Sequence, residues 1–100
     1  MPIALTSAQK RYLRGLAHAL KPVILVGGKG ITEGLVAETQ SALGIHELIK
    51  VKVAAEDREA RDLAIATLVE AADAALVSRV GNIAVVYRPR AEKPLIALPR

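Results

Sequence analysis

Apolar residues recur at helical spacing in the first stretch of the chain. They lie three and four positions apart, as on one face of an amphipathic helix: Leu13, Leu16, Ala17 and Leu20. Thr6 and Gln9 have the spacing of a capping box, which places the start of this helix. Pro22 disfavours helical geometry at Lys21, so we predict a helix over about residues 7–19.

Two further helices are indicated by their start and stop signals. Thr32 is a candidate N-cap for a helix that ends near Gly44, since glycine is a common C-terminal cap. Asp57 is a candidate N-cap for a third helix that runs to about Ala72. We expect four residues of this third helix to point inward: Leu63, Leu68, Val69 and Ala72.

Two strands are predicted between these helices. Residues 23–26 form an apolar run without alternation, as expected of a strand that is covered on both faces or buried centrally in a sheet. Residues 47–53 alternate in polarity from Ile49 onward, which indicates one buried and one wet face. The apolar face carries Ile49, Val51 and Val53, and the polar face carries Lys50 and Lys52.

The last two strands and the chain end complete the predicted fold. Segments 75–80 and 83–88 flank Gly81-Asn82, which predicts a hairpin with a type I′ or II′ turn. The order α-β-α-β-α-β-β favours parallel pairing through the helices, with the hairpin adding an antiparallel edge. We therefore expect an α/β (α+β) protein with a small four-stranded mixed sheet and helices packed on it. We also expect residues 1–100 to form one domain, with residues 89–100 as an extended arm whose apolar segment 95–98 could pair with its own sheet or with another chain.

Composition narrows the class of protein. The chain is 52% hydrophobic but has only two aromatic residues, Tyr12 and Tyr87, so its core must be built from Leu, Ile, Val and Ala. It contains no cysteine, which excludes disulfides and thiolate metal sites and fits a reducing compartment. No signal peptide or membrane-spanning run is visible, so we expect a cytoplasmic domain. A domain this small is expected to be a monomer, although the sequence does not fix its oligomeric state.

Charge is segregated along the chain. Residues 1–30 carry five basic and no acidic side chains, and residues 31–80 carry five basic and nine acidic ones. Lys10, Arg11 and Arg14 lie three and four apart and are predicted to cluster on the first helix. Such a distribution can present one basic face to a polyanion. Charge alone is equally consistent with scattered, solvated side chains.

A glycine-rich segment, Gly27-Gly28-Lys29-Gly30, joins a predicted strand to a predicted helix. A G-x-x-G loop lets the backbone approach a phosphate chain without Cβ atoms in the way, and its amides and the following helix N-terminus can face phosphate oxygens, as in KH domains. A tight turn that needs glycine for positive φ accounts for the same residues. A Walker-type or dinucleotide loop is disfavoured, because Gly30 follows Lys29 and the next glycine, Gly34, is displaced.

The scarcity of aromatic residues restricts the mode of binding. RRM and OB-fold proteins stack bases on aromatic rings, so this chain is expected to recognise phosphate and shape in structured RNA, with little base readout. Lys50 and Lys52 could extend the basic track, although paired lysines also simply keep a strand face wet. His18 and His46 lie outside any ligand-spaced cluster, and no nucleophile has a base beside it, so we expect no enzyme, cofactor or metal site.

Several separated motifs resemble one known family. LRGLAHALKPVILVGGKGITEGLV (13–36), HELIKVKV (46–53) and VVYRP (85–89) are similar to the CRM domain, an RNA-binding module named for chloroplast RNA splicing and ribosome maturation. The chain resembles more closely the bacterial stand-alone form, the YhbY-like proteins, over about residues 5–99. The resemblance implies a fold like the C-terminal domain of bacterial translation initiation factor three. It also implies association with precursors of the large ribosomal subunit, as a maturation factor without catalytic activity.

The resemblance also assigns candidate RNA-binding residues. The family's G-x-x-G loop, held to contact RNA, falls on Gly27, Gly28, Lys29 and Gly30. Its basic first helix falls on Lys10, Arg11 and Arg14, with Lys21 ahead of the strand. The second loop position is often polar or charged in the family, and Gly28 leaves the loop more flexible here. Two other hypotheses stay open: an Alba-like nucleoid protein that binds DNA or RNA, and a protein-interaction module that docks on a ribosomal protein.

Overall fold

A computed structural model describes residues 4–55, 57–90 and 94–99 of the chain. The described elements follow the predicted order α-β-α-β-α-β-β. The helices are α1 (Ser7–Ala17), α2 (Glu33–His46) and α3 (Arg58–Ala71). The strands are β1 (Pro22–Val26), β2 (Leu48–Val53), β3 (Ala75–Val80) and β4 (Ile83–Tyr87). The α/β class with a four-stranded mixed sheet is therefore confirmed.

Each of these three helices begins at the N-cap that the sequence predicted. The Thr6 hydroxyl accepts the Gln9 N–H at 3.1 Å, and the Gln9 side-chain oxygen accepts the Thr6 N–H at 3.0 Å, which completes the capping box. Thr32 and Asp57 each accept the backbone N–H three residues on, at 3.1 and 2.7 Å. Caps of this kind stabilise a helix by about 1 kcal/mol each, so local sequence fixes where α1, α2 and α3 start.

The strands pair in the order β1-β2-β4-β3. β1 and β2 are parallel, and β4 runs antiparallel to both of its neighbours, β2 and β3. The hairpin adds an antiparallel edge to the sheet, as expected, with β4 inside the sheet and β3 outermost. The burial of β4 explains this position, because Ala84, Val85, Val86 and Tyr87 are covered on both faces. Gly81, with φ +61°, begins the two-residue turn, and this geometry is that of type II′.

The sheet separates two apolar clusters. The larger cluster lies between the sheet and helices α2 and α3, and it includes alternate residues of β1 and β2: Ile24, Val26, Ile49, Val51 and Val53. The smaller cluster lies under α1 on the other face, called here the α1 face: Leu13, Ala17, Leu48, Val77, Val85 and Tyr87. The alternation predicted for β2 is therefore confirmed, with Lys50 and Lys52 on the α1 face.

The inward face of α3 is shifted from the predicted one. Leu63, expected to point inward, is 69% exposed, and Ile65 is buried in its place. Leu68 and Ala72 are buried as predicted, and Val69 packs partly against the larger cluster. Ile65, Leu68 and Ala72 are spaced three and four residues apart, so they form a single helical stripe that leaves Leu63 on the solvent side.

β1 differs from its prediction in a way that shapes the surface. It is an edge strand, and Val23 and Leu25 are 49% and 61% exposed on the α1 face. Ile24 and Val26 are buried on the opposite face. The α1 helix packs on β2 and β3, so the α1 face of β1 stays uncovered. The unbroken apolar run of β1 therefore does not reflect burial of the strand on both faces of the sheet.

The C-terminal end of α2 is set by a buried glutamate. The helix continues past Gly44, the predicted cap, to His46, and Glu47 then takes φ +63°. The Glu47 side chain is fully buried, and its carboxylate accepts the backbone N–H of Arg90 at 2.6 Å and those of Leu95 and Ile96 at 2.7 Å. Three charge-assisted hydrogen bonds outweigh the strain of a left-handed backbone, which is about 1–2 kcal/mol.

The C-terminal arm is held against the body of the domain. Ile96 and Leu98 pack on the smaller apolar cluster, and the Gln9 side-chain nitrogen donates to the Pro99 carbonyl at 3.0 Å. Residues 94–99 form no strand. The described part of the arm therefore does not pair with the sheet, as one expectation had it, but docks on its own domain through side-chain and Glu47 contacts.

Candidate nucleic-acid interface

The glycine loop, residues 27–30, projects from the end of β1. The Gly30 N–H donates to the Gly27 carbonyl at 3.0 Å, which closes a tight turn with Gly28 and Lys29 exposed at its tip. Gly30 takes φ +71°, so its backbone needs glycine. Gly27 and Gly28 have ordinary φ values, and a Cβ atom on either would meet nothing within 4 Å. Turn formation therefore accounts for one glycine and leaves two bare, exposed backbone positions without a structural requirement.

Positive and negative charges oppose each other at the start of α2. The helix N-terminus lies next to the loop and carries partial positive charge from its unpaired amides. Thr32 uses one of these amides as the cap, and Glu33 in the first turn places a negative charge there. An anion at this position would therefore be held mainly by the loop amides and by Lys29.

The strand directions place the loop at one edge of the sheet. Because β1, β2 and β3 point the same way, their C-terminal ends meet at one edge, which also carries the Gly81-Asn82 turn. Leu25 pairs with Lys52, and Pro22 pairs with Lys50, in the β1–β2 register. Neighbouring strands lie about 4.8 Å apart, so Lys52 lies beside the last exposed apolar residue before the loop.

The basic side chains of α1 are spread along the helix. Arg14 lines a groove of about 280 Å³ together with His18, Ser78 and Lys50, near the end of β3 that shares an edge with the glycine loop. Lys10 lies beside Leu76, nearer the opposite end of β3. Arg11 is exposed on the same helix. The predicted cluster on α1 is thus a track, of which Arg14 is brought next to Lys50.

Lys21 belongs to a separate surface on the other side of α1. It lines a groove of about 360 Å³ between α1 and β1, called here the α1–β1 groove. Its lining includes Leu16, Leu20, Lys21, Val23, His46 and Ile96. His18 and His46 therefore lie in different grooves. Within the described residues there is no group of three metal-binding side chains and no helix long and apolar enough to cross a membrane.

The predicted cations of the candidate site contrast with Arg79 and Arg88, whose side chains have structural partners. Among ion pairs between described residues, none involves the cations of the candidate site: Lys10, Arg11, Arg14, Lys21, Lys29, Lys50 and Lys52. Arg79, by contrast, pairs with Asp62 at 2.8 Å. The Arg88 guanidinium donates to the carbonyls of Ala72 and Gln40 at 2.9 and 3.3 Å, which ties the strand end to α3 and α2.

The two faces of the sheet carry opposite charge. On the face opposite α1, acidic residues of α2, α3 and the α3 N-cap outnumber the two arginines of these helices, Arg58 and Arg61: Glu33, Glu38, Asp57, Glu59, Asp62 and Glu70. The cations of α1 and β2 lie on the α1 face. This separation gives the molecule an electrostatic orientation toward a polyanion.

Comparison with known proteins identifies the family of this chain. The model of the CRS1/YhbY (CRM) domain matches residues 5–88. The chain belongs to the CRM family. A Haemophilus influenzae member named RNA-binding protein is 52% identical over 96 residues, which is 96% of each chain. A Pseudomonas aeruginosa member that also carries an RNA-binding name is 41% identical over 98% of this chain and 96% of its own length.

A solved structure shares the fold. The solution structure of a Staphylococcus aureus protein superposes with a TM-score of 0.83 at 38% sequence identity, covering 96% of this chain and all of that one. The resemblance to CRM proteins and the predicted fold class are therefore confirmed. The exposed apolar residues of the α1–β1 groove and the buried Glu47 are features that the sequence interpretation missed. The sequence interpretation missed the exposed residues because an apolar run predicts burial. It missed Glu47 because nothing in the segment HELIKVKV indicates that its glutamate is buried.

Proposed function

We propose that this CRM protein is a cytoplasmic RNA-binding factor that assists assembly of the large ribosomal subunit and has no catalytic activity. Its partner in this proposal is ribosomal RNA of the subunit precursor. One observation carries the proposal: Gly27 and Gly28 are exposed and not required by the turn, and they adjoin Lys29, which forms no ion pair with another described residue. Bare backbone beside positive charge is suited to a sugar-phosphate chain.

The proposed contacts follow from the sheet edge. Phosphates lie on the amides of the glycine loop other than that of Gly30, which donates to the Gly27 carbonyl, and are paired by Lys29. Lys52 continues the track along the α1 face, and Arg14 and Lys50 extend it over the groove they share. The acidic α2 and α3 stay turned away from the RNA. The relatives named as RNA-binding proteins support the choice of nucleic acid, and the family resemblance supports the ribosomal target.

Cosedimentation tests the ribosomal part of the proposal. Lysate that contains the tagged protein is resolved on sucrose gradients at low and at high salt. We expect comigration with large-subunit precursors at low salt and loss of comigration at high salt, because release of condensed counterions drives such binding. If the protein stays at the top of the gradient at both salt concentrations, the ribosomal assignment fails.

Direct binding tests the site. Lys29→Glu should weaken binding to ribosomal RNA fragments by about tenfold, which equals about 1.4 kcal/mol. Arg58→Glu is the matched control, since Arg58 is exposed at the start of α3, on the acidic face. Equal losses for the two variants would show that only net charge matters and would remove the loop from the interface.

Binding to duplex DNA, and binding by a variant in which Lys10, Arg11 and Arg14 are reversed in charge, separate the two other hypotheses. An Alba-like protein would bind duplex DNA at least as tightly as RNA. A protein-interaction module would bind its ribosomal target with little salt dependence and would tolerate reversal of Lys10, Arg11 and Arg14. Either result would contradict the present proposal and favour the corresponding alternative.

A further inference from the structure

The exposed face of β1 carries a continuous apolar strip. Val23 and Leu25 lie two residues apart on the α1 face, at 49% and 61% exposure. Leu16 and Leu20, 42% and 38% exposed, line the α1–β1 groove with Val23. Leu25 extends this strip to the first residue of the glycine loop. Single exposed apolar residues are common, but contiguous ones with a polar rim mark an interaction surface.

The rim of this strip is cationic. Lys21 lines the groove, Lys52 pairs with Leu25 across the strands, and Lys29 follows at the end of β1. No carboxylate is among the described residues that line the groove. The nearby Glu47 is fully buried and turned to the arm. An occupant that fits must therefore combine negative charge with an apolar surface.

Unpaired nucleotides combine these two properties, and a continuous duplex does not. In a duplex the apolar faces of the bases are stacked on each other, and a protein meets phosphates and 2′-hydroxyls. In loops and bulges the base faces are open and can be buried against side chains. Alternate residues on one strand face lie about 6.7 Å apart, so Val23 and Leu25 offer separate apolar contacts along the path that leads to Lys29. The exposed imidazole of His46 adds a ring at the far end of the groove.

The edge position of β1 supplies hydrogen-bonding groups beside this strip. β1 ends the described sheet, so the outer row of its N–H and C=O groups has no strand partner. Such groups can pair with the edges of bases that lie on Val23 and Leu25. The strip thus combines an apolar surface with a cationic rim and, along β1, with main-chain hydrogen-bond donors and acceptors.

We propose that the α1–β1 groove and Leu25 bind unpaired nucleotides of the RNA, so that the preferred substrate is a loop, bulge or junction rather than a continuous duplex. This inference rests on the RNA-binding function proposed above and adds a base-contacting surface to it. It also differs from the expectation that the protein recognises only phosphate and shape.

The test uses two RNAs and two matched variants. One RNA is a blunt-ended duplex of two fully complementary strands, and the other is the same duplex with an unpaired internal loop at its centre. Leu25→Thr removes apolar surface from β1 while keeping a residue that favours strands. Leu76→Thr makes the same change on β3, the other edge strand, where Leu76 is 38% exposed in a groove lined by Asp62 and Ile65 of α3. Affinities are measured by fluorescence anisotropy, and the fold of each variant is checked by circular dichroism.

We expect the unmodified protein to bind the looped RNA about tenfold more tightly than the continuous duplex, and Leu25→Thr to abolish most of that difference. Leu76→Thr should keep it. Addition of the looped RNA should also shift the methyl NMR signals of Val23 and Leu25. Equal affinity of the parent for both RNAs, equal effects of the two variants, or unshifted methyl signals in an RNA complex would overturn the inference while leaving the proposed RNA-binding function intact. Absence of binding to either RNA would overturn the proposed function itself.

Discussion

The buried Glu47 gives the sharpest prediction about stability. Its Oε2 accepts the Arg90 N–H at 2.6 Å, and its Oε1 accepts the Leu95 and Ile96 N–H groups at 2.7 Å. Glu47→Gln keeps the shape and one oxygen, so two charge-assisted bonds become neutral, each weaker by about 1 kcal/mol. The amide nitrogen then faces a backbone donor, which loses the third bond at about 1–3 kcal/mol. The variant also no longer has to bury a charge, and this offsets part of the lost free energy of unfolding.

We therefore expect Glu47→Gln to lower the free energy of unfolding by about 2–4 kcal/mol, measured by urea denaturation. Glu38→Gln is the control, because Glu38 is an exposed carboxylate on α2. Hydrogen exchange should show loss of protection at the amides of Leu95 and Ile96. A variant as stable as the Glu38→Gln protein, with these amides still protected, would refute the reasoning.

A second comparison separates the backbone of Glu47 from its side chain. Glu47→Ala and Glu47→Gly both remove the carboxylate, but only glycine accepts φ +63° without strain. The glycine variant should be more stable than the alanine variant by about 1 kcal/mol, while both should release the arm. Equal stability of the two variants would show that the left-handed backbone carries no strain here.

Three further outcomes are expected. Gly30→Ala should lower the free energy of unfolding, measured by urea denaturation, by about 1 kcal/mol, because Gly30 has a positive φ. Gly27→Ala should leave the free energy of unfolding unchanged and weaken RNA binding, measured by fluorescence anisotropy. A larger loss of stability in Gly27→Ala than in Gly30→Ala would contradict the loop geometry. Burial, and secondarily Glu47, raises the pKa of Tyr87, so in an ultraviolet titration Tyr87 should ionise at higher pH than the exposed Tyr12. The unfolded chain loses the Tyr87 proton first, so the stabilising contribution is complete below about pH 10 and falls as pH rises further; identical titration of both tyrosines would refute the assigned burial. Lys29→Ala should reduce the slope of log affinity against log salt by about 0.7–0.9 if Lys29 neutralises one phosphate, and an unchanged slope would exclude that contact.

Local signals predicted the helix starts and the β2 faces because their causes lie within a few residues. Thr6, Thr32 and Asp57 act on amides three residues away, and the alternation of β2 is a property of one strand. The end of α2 has a different cause. Gly44 has the right residue type for a cap, but the helix ends at Glu47, whose partners lie more than forty residues further along the chain. Sequence pattern near residue 44 does not contain that information.

The candidate site shows the same limit. The glycine loop and its cations were predicted from a short motif and from charge, and the structure adds which of them lie together. Arg14 and Lys50 share a groove, and Lys21 lies in another. The exposure of Val23 and Leu25 could not be predicted, because it depends on where α1 crosses the sheet. A helix that covers β2 and β3 leaves the edge strand open, and only the tertiary arrangement decides this.

The arm and the α1–β1 groove are parts of one arrangement. Glu47 holds the Ile96 N–H, and the Ile96 side chain lines the groove beside Leu16 and Val23. The carboxylate that ends α2 therefore also fixes one wall of the surface to which we assign unpaired nucleotides. Loss of that carboxylate would free Ile96 and widen the groove, while the glycine loop, held by its own turn and by β1, would be unaffected. The proposed phosphate contacts lie on the glycine loop, and the proposed base contacts lie on β1 and the α1–β1 groove, so variants of Lys29 and of Leu25 test them separately.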